Sequence, residues 1–576
     1  MEQHERQEII QGVGELTGVS IQDLKAELKL EEARWKSEDI ERSNTTLKAD
    51  IKDSGRTIVY MDNIDNSVIT RRVEDVLFAE IKGTRVMSHG SRLVSVRMAK
   101  PTTIREVRQE QGAAPEETPL SMIVDTYLYH ALAGRVLQSV VFIKVADGQW
   151  DEIPPPPQVI RAMLEDSHKR APSLVGIIEQ PVMDETGELL VVDGLNDDGL
   201  FVQISKDLVP DLPQVISEEM AQDSLRWIIE EALADFPFAT NVDVAGAVAA
   251  LLTAIQRRMF DSNEGCPGFL TTAPIQSSGK TAFFQLLFEL VWGRTAAATN
   301  WSSSDEELGK HILAILLEGH GGVLFDNLEE GGQIESNALA RAMTSPKFTG
   351  RMLGENKSAT VPTNCLWCFT GNNISASGDF NTRILPIKID PGDENPDQRS
   401  FSRPDLAEWC EKHRAEFFNH AMIIMVGYQR HLATGGRPPA AKPTRYSAWD
   451  NQVRHAMLWA GSDDPALLFD QNKAEDPKRE GRLNFLVAWY DAYGDKPTLL
   501  RDANCAYGVV SSVDDVGDAI RDLLPNGNVT SRSLAVVIRK FAGQWIGGYR
   551  IVAEGGGGKS KKSKRWKVER QLDVVS

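Results

Sequence analysis

Residues 269–292 read FLTTAPIQSSGKTAFFQLLFELVW. The apolar run at 269–273 predicts a buried strand, and the apolar run at 282–292 predicts a helix. The loop between them ends in Ser-Gly-Lys-Thr at 278–281. A strand, a loop of small residues and a helix N-terminus bind phosphate well, because the first-turn amides have no helical acceptor and the helix dipole attracts anions. The stretch therefore predicts an α/β domain that binds a nucleoside triphosphate.

Two side chains in this loop have specific expected roles. Lys280 would reach the outer phosphates, and the Thr281 hydroxyl would be a ligand of Mg²⁺. The full motif is G-x-x-x-x-G-K-[ST], and Pro274 replaces its first glycine, which removes one amide donor. A second Gly-Lys-Ser at 558–560 has no apolar strand before it and no apolar helix after it, so we reject it. The residues expected to contact nucleotide are Pro274, Gln276, Ser277, Ser278, Gly279, Lys280 and Thr281.

A second buried-strand pattern, residues 322–326, ends in the carboxylate of Asp326. We expect this strand to lie beside the phosphate-loop strand, which would place Asp326 at the carboxyl edge of a parallel sheet. Ligands bind at that edge, and Mg²⁺ prefers oxygen ligands such as Asp326 and Thr281. Asp326 is therefore a candidate Walker B residue.

Two further strands also have polar ends. The run at 365–371 is followed by Asn372, whose amide could orient the attacking water in the role called sensor 1. Arg383 directly precedes the apolar run at 384–390. It could project into the nucleotide site of a neighbouring subunit, or it could be a solvated surface arginine. Pro386 predicts that this last strand lies at a sheet edge, because proline cannot donate a ladder hydrogen bond.

The order phosphate loop, Asp, Asn, Arg resembles the AAA+ ATPases of the ASCE P-loop class, and most closely the superfamily 3 type helicase domains of phage and mobile-element primase-helicases. The resemblance covers roughly residues 216–430 and is strongest over 338–390. It implies a parallel three-layer α/β core, ATP and Mg²⁺ as cofactors, and a homo-hexameric ring. In that family a basic hairpin before sensor 1 lines the pore and holds DNA. The matching basic residues here are Lys347, Arg351 and Lys357.

One position departs from the family pattern. Asn327 stands where many relatives carry the acid that polarises water. Glu329 or Glu330 could take that role, and the sequence does not decide between them. The candidate catalytic residues are Asp326, Asn327, Glu329, Asn372 and Arg383.

The C-terminal residues suggest a winged-helix-like module. An apolar helix with a Thr530 cap is followed by two short strands, joined by a loop rich in glycine and lysine. This basic run opposes the net charge of −19, which makes the surface as a whole repel nucleic acid. The expected phosphate contacts, which carry no sequence information, are Lys559, Lys561, Lys562, Lys564 and Arg565.

Composition and patterning suggest several domains in the 576 residues. The expected divisions are a helical segment at 1–55, α+β modules at 56–215, the ATPase domain at 216–432, a helical connector at 433–480 and the winged-helix-like domain at 481–576. Asp62 and Asp65 could suggest a polymerase, but too little chain precedes them, and we expect them in a turn.

Other classes are disfavoured. No apolar run is long enough to cross a membrane, and the N-terminus lacks a signal-peptide pattern, which predicts a cytoplasmic protein. An odd number of cysteines does not suit a disulfide scaffold. Cys365 and Cys368 lie in an apolar run, so we expect buried thiols rather than zinc ligands.

The leading hypothesis is an ATP-dependent DNA helicase or translocase that replicates a phage or mobile element. Its partners would be single-stranded or forked DNA and a primase or replication-initiation protein. Two alternatives remain: a remodelling or defence-type ATPase without unwinding, and a non-enzymatic DNA-binding assembly protein with a vestigial nucleotide site. Pro274 and Asn327 favour the last; Lys280, Asn372 and Arg383 oppose it.

Overall fold

The structure is a computed structural model. It describes residues 3–61, 65–79, 86–99, 121–190, 193–260, 265–296, 298–352, 358–392, 396, 403, 405–474, 476–500, 515–524, 530–554 and 564–571. The chain divides into two compact units. The first comprises Met1–Ala99, Met122–Val175 and Gly194–Val202, and the second contains the remainder.

The α-helices of the described chain are α1 (Gln3–Thr17), α2 (Ile21–Asp53), α3 (Asn66–Ala79), α4 (Tyr129–Ser139), α5 (Pro157–Asp166), α6 (Glu218–Trp227), α7 (Asn241–Gln256), α8 (Lys280–Trp292), α9 (Asp305–Glu318), α10 (Asn337–Thr344), α11 (Leu406–Ala433), α12 (Ser447–Trp449), α13 (His455–Trp459), α14 (Leu467–Ala474), α15 (Pro477–Tyr493), α16 (Asp515–Leu523) and α17 (Ser531–Phe541).

The β-strands of the described chain are β1 (Thr57–Tyr60), β2 (Met87–His89), β3 (Arg92–Ala99), β4 (Ser121–Thr126), β5 (Val140–Ala146), β6 (Gln149–Ile153), β7 (Gly176–Ile178), β8 (Gly194–Leu195), β9 (Leu200–Val202), β10 (Gly268–Ala273), β11 (Ala298–Thr299), β12 (Gly322–Leu328), β13 (Gln333–Ile334), β14 (Lys347–Arg351), β15 (Ser358–Pro362), β16 (Leu366–Asn372), β17 (Ser375–Ala376), β18 (Ile384–Lys388), β19 (Thr498–Leu499), β20 (Tyr549–Glu554) and β21 (Arg565–Arg570).

The first unit contains the sheet β1-β5-β6, which packs against α3, α4 and α5. The long helix α2 is joined to the β5–β6 turn by Asn44, which donates to the Gly148 carbonyl at 2.8 Å and accepts from the Trp150 amide at 2.9 Å. Most of the segment before β1 is helical, in α1 and α2. Asp65 lies in a turn as expected, where its carboxylate accepts from the Ser67 amide at 2.7 Å. Asp62 lies outside the described residues.

A five-stranded parallel sheet organises the second unit, in the order β11-β12-β16-β10-β18. Every residue of β10 and β16 is buried, as expected for strands covered on both faces. Helices α9 and α10 pack with Phe325 and Phe369 on one face. Helix α8 covers the other face, where a Cβ at Gly322 would meet the Trp292 ring at 2.8 Å. The chain is thus an α/β protein with helices on both faces of a parallel sheet.

The strand order confirms one prediction and corrects another. Strand β18, which contains Pro386, lies at the sheet edge as its proline predicts. Strand β12 does not lie beside β10, because β16 lies between them: Leu324 pairs with Cys368, and β16 pairs in turn with β10. The buried length of β16 favours this central position.

A hairpin projects from the segment between β12 and β16. Strands β14 and β15 pair antiparallel, with Thr349 opposite Thr360. Phe348 and Val361 face the core, and a Cβ at Gly350 would lie 3.2 Å from the Leu313 side chain of α9. The alternation of buried and exposed residues leaves the other hairpin face in solvent.

The C-terminal residues build a hydrophobic core of their own from α15, α16, α17 and the sheet β19-β21-β20. Thr530 caps α17 as expected: its hydroxyl accepts from the Ser533 amide at 3.0 Å, and the Ser533 hydroxyl accepts from the Thr530 amide at 2.9 Å. The two predicted strands correspond to β20 and β21, which pair antiparallel.

Cys365 and Cys368 are buried, as predicted, and burial raises the pKa of the Cys365 thiol to about 12. Cys505 lies outside the described residues. Among the helices that the structure describes, none combines the length and the apolar character needed to span a bilayer.

Candidate nucleotide-binding site

The phosphate loop connects β10 to α8, and two of its side chains donate to the same backbone carbonyl. Gly279 is the N-cap of α8 at φ 95°, a left-handed conformation that glycine adopts readily. The Ser278 hydroxyl donates to the Ile275 carbonyl at 2.5 Å, and Lys280 Nζ donates to the same carbonyl at 3.0 Å. The lysine is therefore held over the loop, next to the first-turn amides of α8.

The other loop residues have different exposures. Pro274, Gln276 and Ser277 are exposed, whereas Ser278 is buried. The Pro274 carbonyl accepts from Asn373 Nδ2 at 3.4 Å, which joins the start of the loop to the end of β16. The proline thus opens the loop from an exposed position at the carboxyl edge of the sheet.

Thr281 and Asp326 meet at the first turn of α8. The Thr281 hydroxyl donates to Asp326 Oδ1 at 2.9 Å, although the two residues are 45 positions apart. Thr370 also donates to Asp326 Oδ1, and the Thr370 hydroxyl accepts from the Asn327 amide at 2.8 Å. The structure thus brings both expected Mg²⁺ ligands together, and it adds Thr370, which the sequence did not single out.

The one feature of the sequence that could have pointed to Thr370 is its position in β16. It lies two residues before Asn372 on β16, so both side chains point to the same face of the strand. A threonine within an apolar strand is ordinary by β-propensity alone, which is why its contact with Asp326 could not be anticipated.

The charges at the site act on Lys280. Partial burial lowers the pKa of its ammonium group, and the carboxylates of Asp326 and Glu330 oppose that shift. Both carboxylates therefore favour the charged form of the lysine. Glu329 and Glu330 are both exposed.

Asn372 presents a buried acceptor to the site. The residue is 7 % exposed, and its side-chain oxygen has no hydrogen-bond partner in the structure. The backbone carbonyl of Asn372 accepts from the Gly331 amide at 3.0 Å, and this bond connects the loop after β12 to β16. An unpartnered buried oxygen costs folding free energy, about 1–3 kcal/mol, so a ligand that donates to it is favoured.

Left-handed backbone concentrates at this edge of the sheet. Ser277, Asn327 and Asn373 have φ between 50° and 59°, and in the described chain they are three of the five non-glycine residues with positive φ. Such conformations cost free energy and cluster at binding sites. Asn327 lies directly after Asp326 at the register shift of β12 between Phe325 and Leu328, and it is exposed.

Arg383 is largely buried within its own chain. Its side chain is 11 % exposed, which contradicts the alternative of a solvated surface arginine, and its reach to a neighbouring subunit stays a prediction. One guanidinium nitrogen donates to the Ala340 carbonyl of α10 at 3.0 Å, and the other forms an ion pair with Asp379 at 3.1 Å. The arginine is directed into its own chain because α10 offers it a carbonyl acceptor.

The donor set suits Mg²⁺. This cation takes oxygen ligands, commonly one or two protein groups together with substrate phosphates. The adjacent Thr281 hydroxyl and Asp326 carboxylate are such groups, and they lie at the helix end where phosphates bind. No group of three or more His, Cys, Asp or Glu side chains that could hold a metal ion occurs within the described residues.

The expected DNA contacts are described only in part. Lys347 and Arg351 are exposed on the outer face of the β14–β15 hairpin. Lys564 and Arg565 are exposed at the start of β21. Lys357, Lys559, Lys561 and Lys562 lie outside the described residues.

Comparisons with known proteins give structural neighbours only. No protein-family model matches the chain, and no curated protein sequence matches it. The chain is similar to the apo NrS-1 C-terminal region, at 11 % identity and TM-score 0.35, covering 82 % of this chain and 100 % of that one. It is similar to SCCmec type IV Cch, an active helicase, at 9 % identity and TM-score 0.32, covering 85 % and 95 %.

A third similar structure is the JCV Helicase, at 15 % identity and TM-score 0.18, covering 43 % of this chain and 68 % of that one. The TM-scores are too low to transfer residue roles or a mechanism.

Replacing Thr370 tests its position beside Asp326. Thr370→Val should raise the Mg²⁺ concentration for half-maximal nucleotide binding about thirtyfold, because the Asp326 carboxylate and the Asn327 amide each lose a partner, at about 1 kcal/mol per hydrogen bond. Thr370→Ser keeps the hydroxyl and should restore the native value. Calorimetric Mg²⁺ titrations would measure this, and an equal defect in both variants would contradict a positioning role.

Replacing Arg383 tests its inward orientation. Arg383→Ala should speed amide hydrogen exchange in α10 by about tenfold or more, because the Ala340 carbonyl loses a charged donor worth about 1.5–3 kcal/mol. The control is Arg445→Ala, an exposed arginine that donates to Thr382 at 3.3 Å nearby. Unchanged exchange in Arg383→Ala would show that the arginine does not anchor α10.

Proposed function

We propose that this chain is a DNA-dependent ATPase of the helicase or translocase type, acting in the replication of a phage or mobile element. The observation that carries the proposal is the 2.9 Å hydrogen bond between Thr281 and Asp326 at the first turn of α8, beside Lys280. It brings a hydroxyl, a carboxylate and an ammonium group to one helix N-terminus. ATP is the proposed substrate and Mg²⁺ the proposed cofactor.

Each residue then has a defined task. The α8 amides and Lys280 bind the phosphates, while Thr281 and Asp326 would hold Mg²⁺. Bound Mg²⁺ supplies neutralisation of charge on the phosphate oxygens. Asn372 accepts a hydrogen bond from the attacking water through its unpartnered oxygen.

The base that polarises the water is assigned to a glutamate after β12. The candidates are Glu329 and Glu330, the two exposed acids that directly follow β12. Asn327 cannot accept a proton at neutral pH, and the two acids follow it at the second and third positions along the chain. The assignment gives the site a carboxylate despite the substitution at position 327.

The parallel sheet with helices on both faces supports the AAA+ interpretation that the resemblance implies. Strand β16 lies between β10 and β12 and carries Asn372, the proposed sensor residue, at the sheet edge where the phosphate loop and Asp326 also lie.

Two surfaces support contact with DNA. The outer hairpin face carries Lys347, Arg351 and three hydroxyl side chains, without a carboxylate among these five residues. In the C-terminal module the order α15, β19, α16, α17, β20, β21 matches a winged helix, with α17 as its recognition helix. The exposed residues of α17 include Arg532, Arg539 and Lys540.

We also propose a homo-hexameric ring on single-stranded or forked DNA, with a primase or initiation protein as a further partner, from the family resemblance. In the described conformation Arg383 is bonded to α10 and does not supply a cation to a neighbour. A ring in which it did so would first have to break that hydrogen bond.

A second candidate function is a DNA-binding assembly protein that holds nucleotide without turnover. Pro274 and Asn327 favour it, because the first removes an amide donor and the second an expected acid. In that case nucleotide would still bind through Lys280, but phosphate release would be absent with and without DNA.

Lys280→Ala tests the proposed function. Phosphate release should fall at least a hundredfold and lose its stimulation by single-stranded DNA, because the ammonium group stabilises charge on the transferred phosphoryl group. Lys310→Ala is the control, since Lys310 forms ion pairs with Glu306 and Glu307 on α9. Turnover that does not respond to DNA would favour a remodelling or defence-type ATPase, and no turnover in the native chain would favour the assembly protein.

Lys347→Ala tests the hairpin. Affinity for single-stranded DNA should fall, and the slope of log K against log salt should decrease by about 0.7, the value for one lost phosphate contact. Lys473→Ala, whose ammonium is paired with Asp470 at 2.7 Å, is the matched control and should leave the slope unchanged. Fluorescence anisotropy over a salt series measures both, and equal slopes in all three proteins would exclude Lys347 from the DNA contact.

A further inference from the structure

Two half-buried phenylalanines lie beside the phosphate loop, outside the groups that the proposed chemistry uses. Phe236 and Phe238 contact the buried Phe283 of α8, with ring centroids 5.8 and 6.0 Å apart and ring planes nearly perpendicular. A Cβ at Gly279 would lie 3.8 Å from the Phe236 ring. Aromatic surface therefore adjoins the last glycine of the phosphate loop.

The segment that carries these rings is fixed to the edge of the parallel sheet. The Ala239 amide donates to the Lys388 carbonyl at 3.0 Å, and the Asp390 amide donates to the Pro237 carbonyl at 2.8 Å. Asp243, which is 1 % exposed, accepts from the Lys388 amide at 2.8 Å. These contacts hold the rings on the β18 side of the phosphate loop.

The strand order gives a bound triphosphate its direction. Asp326 and Asn372, which serve the outer phosphate, end the strands on one side of β10. Strand β18 and the Phe236 segment lie on the other side of β10. A triphosphate whose outer phosphate lies near Asp326 and Asn372 places its nucleoside away from them, and the Phe236 segment lies on that side of the phosphate loop, next to β18.

We propose that Phe236, supported by Phe238 and Phe283, is the stacking surface for the base of the bound nucleoside triphosphate. The inference rests on the proposed nucleotide-binding function and adds a subsite to it. Phe236 and Phe238 are both only partly buried, so ring surface is accessible next to a polar loop. Burial of that surface against a base is favourable, and stacking accepts every base because each has a π-face.

The test separates the base from the phosphates. Binding of Mg·ATP and of Mg·tripolyphosphate is measured by calorimetry for the native chain, Phe236→Ala and Phe236→Leu. Both variants should bind ATP about tenfold more weakly, because they lose the stacking ring, and tripolyphosphate affinity should be unchanged. Leucine retains apolar packing on Phe283, so it keeps the experiment informative if the alanine variant fails to fold. GTP and CTP should weaken in parallel with ATP.

Trp545→Leu removes a half-exposed ring from the C-terminal module and is the control, with both affinities unchanged. Unchanged ATP affinity in Phe236→Leu would overturn the proposal, and so would an equal loss for ATP and tripolyphosphate, which would indicate a distorted loop. Lys280→Ala distinguishes a failure of the base subsite from a failure of the nucleotide-binding function. If it weakens both ligands while Phe236→Leu weakens neither, the base subsite is wrong and the phosphate site stands; if it weakens neither, the nucleotide site itself is wrong.

Discussion

The hydrogen bond between Thr281 and Asp326 is the constraint on which the site depends. It joins the first turn of α8 to Asp326 near the end of β12. Strand β10, which leads into α8, is not a neighbour of β12, because β16 lies between them. The contact requires β10, β16 and β12 to end in register, and the pairs Ala273 with Asn372 and Phe325 with Phe369 show that they do. Thr281 is positioned by helix α8, and Asp326 is positioned by a strand two places away from β10 in the sheet.

Local patterns predicted the parts of this site but not their arrangement. The strand, loop and helix at residues 268–292 could be read from sequence, because an apolar run and a Gly-Lys-Thr turn are signals within a few residues. The position of β16 between β10 and β12 could not, since strand order depends on crossover connections that leave no local pattern. The edge position of β18 was readable only because Pro386 cannot donate a ladder hydrogen bond.

Side-chain direction was the least predictable property. Arg383 has the right position in sequence for an arginine that reaches a neighbour, yet the Ala340 carbonyl and Asp379 hold it inside the chain. Thr370 is the opposite case. Nothing in the local sequence marks it as a functional residue, yet its hydroxyl contacts Asp326 and Asn327. Both outcomes depend on acceptors contributed by distant segments, so neither could be read from nearby residues.

The segment that follows Asp326 depends on the same strands. Asn327 has a left-handed backbone in the bulge of β12 between Phe325 and Leu328, and its amide donates to the Thr370 hydroxyl of β16 at 2.8 Å. Gly331 follows at φ 68°, and its amide donates to the Asn372 backbone carbonyl at 3.0 Å, so the turn that carries Glu329 and Glu330 is anchored on β16. The position of these two acids relative to Lys280 therefore depends on the same register of β12 and β16 that brings Asp326 to Thr281.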